Sequence, residues 1–161
     1  MTTRPGNAAD FHAVVPMMRQ HRLRQVALDP ILYAPHPDAE RRFHRWIGMV
    51  IQDPRAMLLV AEDQGQIVGF LYATIEDELP IYQPEEFALV HEWWVESAFR
   101  GRGAGEALIE RAAAELAHAG VRQLRVRAAA GDEEARAVLY RCGFRTGACE
   151  LVKQLDDPPA A

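Results

Sequence analysis

Val95-Glu96-Ser97-Ala98-Phe99-Arg100-Gly101-Arg102-Gly103-Ala104-Gly105 leads from an apolar run through a glycine-rich turn into a long amphipathic segment. Downstream, over Gly103 to Ala119, Leu108, Ile109, Ala112, Ala113 and Leu116 form one apolar stripe, Glu106, Glu110 and Glu115 face away, and Gly120 supplies a stop. Upstream, Phe87 to Val95 is a continuous apolar run interrupted by His91 and Glu92, as expected of a central strand covered on both faces. A strand, turn and helix in this order aim several unpaired backbone N–H groups at one point, where the helix start adds about half a positive charge. Such a turn can cradle phosphate. Glycine is needed there because side chains block close approach and resist positive φ.

Arg100 and Arg102 lie where the helix dipole disfavours cations by a few tenths to about 1 kcal/mol, a cost reversed when an anion sits between them. An ordinary glycine turn with solvated arginines has the same composition and stays open as a reading. A dinucleotide-binding turn does not fit: Glu106 stands where the third glycine of that pattern belongs, and the turn comes late in the chain.

Working outward, Thr2 to Gly6 reads as a short edge strand, and an apolar-periodic helix follows from Ala8 to about Val26, with a break or kink expected at Pro16. Leu28 to Pro37 is irregular. Asp38 then caps a second helix to about Val50 that Asp53-Pro54 ends. Met57 to Glu62 and Gln66 to Ile75, separated by Asp63-Gln64-Gly65, read as an antiparallel hairpin. Beyond the long helix, Val121 to Arg127 alternates as a strand, Glu133 to Cys142 forms a short helix stopped by Gly143, and Phe144 onward is expected to return to the sheet. A frayed tail is expected over Asp156 to Ala161.

The length of 161 residues suits one domain, and 49% apolar with 25% charged residues suits a buried core. A net charge of −5 argues against wrapping a nucleic acid backbone. Met1 to Asp10 lacks the apolar core of a signal peptide, and the longest apolar runs are too short to span a bilayer, so a cytoplasmic protein without a membrane partner is expected. Cys142 and Cys149 read as free thiols, and the six histidines lack zinc-site spacing, so no metal is inferred.

The glycine turn resembles the GCN5-related N-acetyltransferase family, whose R/Q-x-x-G-x-G/A signature after a strand is matched by Arg100, Gly103 and Gly105. Ala137-Val138-Leu139-Tyr140-Arg141-Cys142-Gly143-Phe144 is similar, to within one residue of spacing, to the family's Leu-Tyr-x-x-x-Gly-Phe ending. The resemblance covers roughly residues 3 to 152. It implies an α/β fold with a mixed, centrally splayed β-sheet flanked by about four α-helices, over a single domain spanning residues 1 to 161. It further implies transfer of acetyl from acetyl-CoA as co-substrate, by direct attack in a ternary complex. Backbone N–H groups from Arg100, Gly101, Arg102, Gly103, Ala104 and Gly105 would hold the pyrophosphate, and the strand through Trp93 to Val95 would pair with the pantetheine arm. A homodimer is compatible with the resemblance, though no residue demonstrates it.

Two departures stand out. Many relatives carry an Asn seven residues before the tyrosine, where Glu133 stands here, and relatives that acetylate ribosomal proteins carry a Glu where Arg125 stands.

A primary amine, with a pKa near about 10.4, is mostly protonated at neutral pH and must lose a proton before attack. Glu92 is the first choice of base, directly or through water; pairing with a nearby arginine is the other reading. His91, expected on the opposite face of the strand, is the fallback. The resemblance sets Tyr140 beside the sulfur as the acid for the departing thiolate; a core tyrosine is its alternative. Cys142 lacks a Cys/His/Asp arrangement and is read as helix packing. Glu76, Asp77, Glu78, Glu85 and Glu86 form either an acidic rim that attracts a cationic amine or solvated loop charge. The acceptor expected is a primary amine of a small molecule. Protein amino termini or lysines, a CoA-binding module without turnover, and an interaction protein that binds neither remain as alternatives.

Overall fold

The computed structural model describes residues 1–155, so the frayed tail expected over 156–161 lies outside the described residues. Alternation along Leu58, Leu59, Val60 and Ala61 sends side chains to opposite faces of a strand buried on both sides. That strand, β2 (Ala56–Asp63), pairs antiparallel with β1 (Thr2–Pro5) and with β3 (Gln66–Asp77). The β2–β3 hairpin closes through Gln64 and Gly65, both at positive φ, as a two-residue loop with matching twist requires. Next come β4 (Glu86–Val95), antiparallel to β3, and β5 (Leu124–Val126), parallel to β4. The order β1-β2-β3-β4-β5 makes β3 the middle strand; β4, read from sequence as central, stands fourth of five.

Four helices cover the sheet, as the resemblance implied. On one face α1 (Phe11–Leu28) and α2 (Ala39–Val50) bury Val14, Met18, Phe43 and Ile47 against Val60, Phe70, Tyr72 and Trp94. The helix α1 continues through Pro16, whose ring is exposed while Val14, Val15, Met17 and Met18 on either side anchor the turn to the core. On the other face α3 (Ala104–His118) packs Leu108, Ile109, Ala112 and Leu116 onto Leu59, Leu71, Ala88 and Val90, with α4 (Glu133–Arg141) beside it through Leu139.

Two strand expectations are corrected. Phe144 packs against the α3-side core, but residues 145–155 form no strand. The edge they would join is only three residues long. Thr146 turns back to the Tyr140 hydroxyl at 2.9 Å instead, and Glu150 lies 3.8 Å from Arg127. The second correction concerns His91. Glu92 pairs with Tyr72 and Val90 with Ala73, so His91 is an extra residue, a β-bulge that shifts the alternation of β4 by one. Val90 and Trp93 therefore share the α3 face, while His91 stacks on Tyr72 and Glu92 meets α1, both on the opposite face. His91 and Glu92 do not point to opposite sides.

Among the described residues no helix is long and apolar enough to cross a membrane.

Candidate active site

The pairing of β4 with β5 ends at Val90 opposite Val126, although β4 runs on to Val95. The sheet thus opens along residues 91–95, and a cleft enters there between β4, the start of α3 and α4. Trp93, Val95, Arg100, Gly101, Ala104 and Gly105 stand on its wall. Arg102 and Gly103 belong to the same turn but are not on that wall; the Arg102 guanidinium lies over the Phe99 ring at 5.3 Å.

The turn is built from glycine's freedom. Gly101 and Gly103 have φ of 70° and 83°, and a Cβ at either would meet nothing within 4 Å, so backbone strain and not crowding selects glycine. Gly103 is the left-handed N-cap of α3 and offers no side-chain cap. Among the described residues, the N–H groups of residues 101–105 have no acceptor. Gly105 is selected differently: a Cβ there would lie 2.7 Å from the Trp93 ring, whose Nε1 donates to the Gly105 carbonyl at 3.2 Å. Free N–H donors at a helix start, beside open backbone on β4, suit the pyrophosphate and extended amide arm of a coenzyme A thioester.

Arg100 braces this turn. Its Nε donates to the Val95 carbonyl at 3.0 Å, its guanidinium lies 4.4 Å from the Trp94 ring centroid, and its Nη1 is 3.6 Å from Glu134 of α4. The Val95 carbonyl is thus engaged within the chain, which leaves the stretch before it for a strand-like ligand. Trp94, on the other face, is 8% exposed, and its indole Nε1 is a buried donor without a partner among the described residues.

Among the described residues, Glu92 pairs with a histidine and with no arginine. Its Oε2 hydrogen-bonds Nδ1 of His21 on α1, and both side chains are largely buried. His21 stands on the cleft wall, with its ring 5.7 Å from that of Trp94. One turn further along α1, Arg24 grips Asp132, the N-cap of α4, through Nε at 3.1 Å and Nη2 at 2.7 Å, and reaches Glu134 at 3.0 Å. Burial works against ionisation of Asp132, but the Arg24 and Ala135 hydrogen bonds outweigh it and hold the carboxyl below its ordinary range.

Tyr140 lies apart from Glu92 and off the cleft wall, 46% exposed. Hydrogen bonds that its oxygen accepts from Thr146 and Arg136 lower its phenol pKa. Burial lowers the pKa of His91, which hydrogen-bonds Thr74. Burial likewise pushes the Cys142 thiol up, which suits packing better than nucleophilic attack. The acidic rim is largely paired within the chain: Asp77 and Glu86 with Arg55, Glu78 with Arg125, and Glu76 with Thr74 and His91.

Sequence reasoning missed His21, Arg24 and Asp132. One signal was present: His21, Arg24 and Gln25 continue at three- and four-residue spacing the face that buries Val14, Met17 and Met18, and all three line the cleft.

Residues 21–144 match the acetyltransferase (GNAT) family, a span from His21 on α1 to the Gly143-Phe144 pair. The chain belongs to that family. GNAT members are acetyl-CoA-dependent acetyltransferases, and the open sheet and glycine turn take their meaning from that use. No curated protein matches the chain significantly by sequence. Solved structures share its fold at low identity. A tetramutant of the BH1408 protein from Bacillus halodurans superposes with a TM-score of 0.82 at 18% identity, over 96% of this chain and 100% of that one. Aminoglycoside antibiotic 6'-N-acetyltransferase AAC(6')-IG from Acinetobacter haemolyticus gives 0.73 at 17%, over 97% and 100%. A predicted acetyltransferase from Clostridium acetobutylicum, solved with acetyl-CoA, gives 0.75 at 19%, over 95% of each chain.

Proposed function

We propose that this GNAT protein transfers acetyl from acetyl-CoA to the primary amine of a small molecule, by direct attack within a ternary complex. The observation that carries the reading is the run of N–H groups at residues 101–105 without acceptors, at the point where β4 leaves β5. Those donors, with the helix dipole behind them, hold a diphosphate and direct the rest of the carrier along the open edge of β4. The co-substrate supplies an activated acyl group on a thioester.

The protein's remaining tasks are proton transfers. Glu92 draws the proton from the incoming ammonium, directly or through an intermediary, which the placement of its carboxylate against His21 between β4 and α1 supports. Tyr140 supplies the proton that the departing thiolate needs. Its lowered pKa brings the phenol closer to that of a thiol, which makes the transfer easier. A small amine is favoured because structural neighbours named as aminoglycoside acetyltransferases match over nearly the whole chain. The neighbour AAC(6')-Iy was solved with a bisubstrate analogue that joins CoA to an acetylneamine.

Release of free thiol from acetyl-CoA tests this against a panel of aminoglycosides, polyamines, amino acids and peptide amino termini. Amine-dependent release with at least one small amine, accompanied by an acetylated product in the mass spectrum, is expected. Binding of acetyl-CoA without release with any amine would leave a binding module. Tyr140→Phe should lower kcat by about tenfold to a hundredfold while acetyl-CoA affinity stays within twofold, and an unchanged kcat would remove the tyrosine from the mechanism.

A further inference from the structure

The geometry points to His21 as the group that takes the ammonium proton from the acceptor amine, with Glu92 as the positioning residue that fixes the imidazole's tautomer. The inference rests on the transfer reading above and names the intermediary between amine and carboxylate. His21 stands on the cleft wall and Glu92 does not: the carboxylate lies behind the ring, on the Nδ1 side. With Nδ1–H donated to Glu92 Oε2, the second ring nitrogen, Nε2, carries the lone pair, and it has no hydrogen-bond partner among the described residues. A nucleophile or base oriented by a second group and open on its reactive side is the arrangement that general-base chemistry needs. Trp94 flanks the ring, and the closure of α1 onto β4 keeps the pair largely out of water.

The charged groups facing the imidazole favour this division of labour. Glu92 comes from β4 and Asp132 from α4, while Arg24 on α1 is already neutralised by Asp132 and Glu134. Arg100 reaches the neighbouring Trp94 ring but pairs with Glu134. An imidazolium formed at residue 21 therefore has an adjacent carboxylate to stabilise it, and the nearby cations have carboxylates of their own.

Step by step, the ammonium N–H bond breaks and its proton moves to Nε2 of His21. The freed nitrogen lone pair forms the bond to the thioester carbonyl carbon, the C–S bond breaks with its electron pair going to sulfur, Tyr140 gives the thiolate its proton, and the second amine proton restores the phenol. The imidazolium returns its proton to solvent.

His21→Gln supplies the test, with neamine and spermidine as acceptor probes and each protein checked by circular dichroism and by calorimetric titration with acetyl-CoA. The expected result is a loss of about a hundredfold or more in kcat/KM with acetyl-CoA affinity unchanged. The acidic limb of the wild-type pH profile should vanish in the variant, and added imidazole should restore part of the rate. A purely structural role for His21 moves neither the limb nor the rescue. Variant turnover within threefold of wild type, with the same acidic limb, overturns the base role while acetyl transfer stands. Wild type that binds acetyl-CoA but acetylates neither probe nor any other amine of the panel overturns the transfer reading, and the base role falls with it. Nitrogen-15 spectra provide a readout independent of turnover: His21 should hold its proton on Nδ1 when neutral, and a proton on Nε2 overturns the assignment.

Discussion

The turn that enters α3 and the side-chain cluster between α1, β4 and α4 line the same cleft, yet the sequence specifies them in different ways. The turn acts through backbone N–H groups, and its requirements are local: glycine at two positive-φ positions and a helix directly after. The cluster acts through side chains brought together across 71 positions for His21 with Glu92 and 108 for Arg24 with Asp132. Local backbone chemistry leaves a motif, whereas long-range side-chain chemistry leaves isolated residues whose meaning depends on a packing angle.

The largest expected effect on acetyl-CoA binding comes from attacking the turn. Gly105→Val places a branched side chain where a Cβ alone would lie 2.7 Å from the Trp93 ring, so the indole must move or α3 must lift. Overpacking of this kind costs about 1 to 3 kcal/mol. Because the same helix start presents the N–H donors, acetyl-CoA affinity should fall by about tenfold or more. Titration calorimetry on the variant, with its melting temperature measured alongside, decides the matter; unchanged affinity would show that the donors at residues 101–105 do not hold the carrier.

That asymmetry explains what was legible. The strand, turn and helix at residues 87–119, the β2–β3 hairpin and the order of elements could be read because apolar period and turn residues specify them. The His91 bulge could not. Nothing in Val90-His91-Glu92 signals an extra residue, and the slip appears only when β4 is laid against β3. The missing strand after Phe144 has the same origin, since a strand requires an edge long enough to pair with and β5 offers three residues. Glu92 was visible as a lone carboxylate in an apolar run, but its pairing with α1 was not, because helical spacing places His21 on the inward face of α1 without saying which strand residue it meets.

A smaller effect probes an ion pair whose partners are close in sequence. Asp10 accepts from both Nη atoms of Arg4 at 2.8 Å and from the Asn7 N–H at 2.8 Å, and it is 5% exposed. Chiefly through the Arg4 hydrogen bonds, against the opposing effect of burial, its carboxyl is held below the ordinary value of 3.8. A depressed native pKa means that the stability Asp10 contributes is fully present above that ordinary value and is lost as pH falls through the native one. Asp10→Asn should therefore cost about 1 to 2 kcal/mol at neutral pH, and the gap to wild type in urea midpoint should narrow as pH is lowered from about 5 to about 3. A gap that stays constant over that range would show that the charge of Asp10 contributes nothing.

A last contrast, read as a difference between two variants, sets two aspartates at helix starts against each other. Asp38 precedes α2 and reads from sequence as its cap, but its side chain makes no capping hydrogen bond; it accepts from Arg41 on the surface at 2.8 Å. Asp132 precedes α4, accepts from the Ala135 N–H at 3.2 Å, and is held by both Arg24 contacts in a partly buried setting. If the residue type at a helix start set the cost, the two would be equal. Geometry makes them unequal: Asp132→Ala should cost about 1 to 3 kcal/mol, because it removes a cap and strands Arg24, whereas Asp38→Ala should stay within about 0.5 kcal/mol. Urea denaturation of both variants measures the difference. Asp132→Ala should also leave Arg24 to draw Glu134 closer, loosening the contact of Glu134 with Arg100 and carrying the loss from α4 to the turn that enters α3. Equal costs, or a loss at Asp132 that leaves acetyl-CoA affinity untouched, would mean that the cluster and the turn share a cleft without sharing energy.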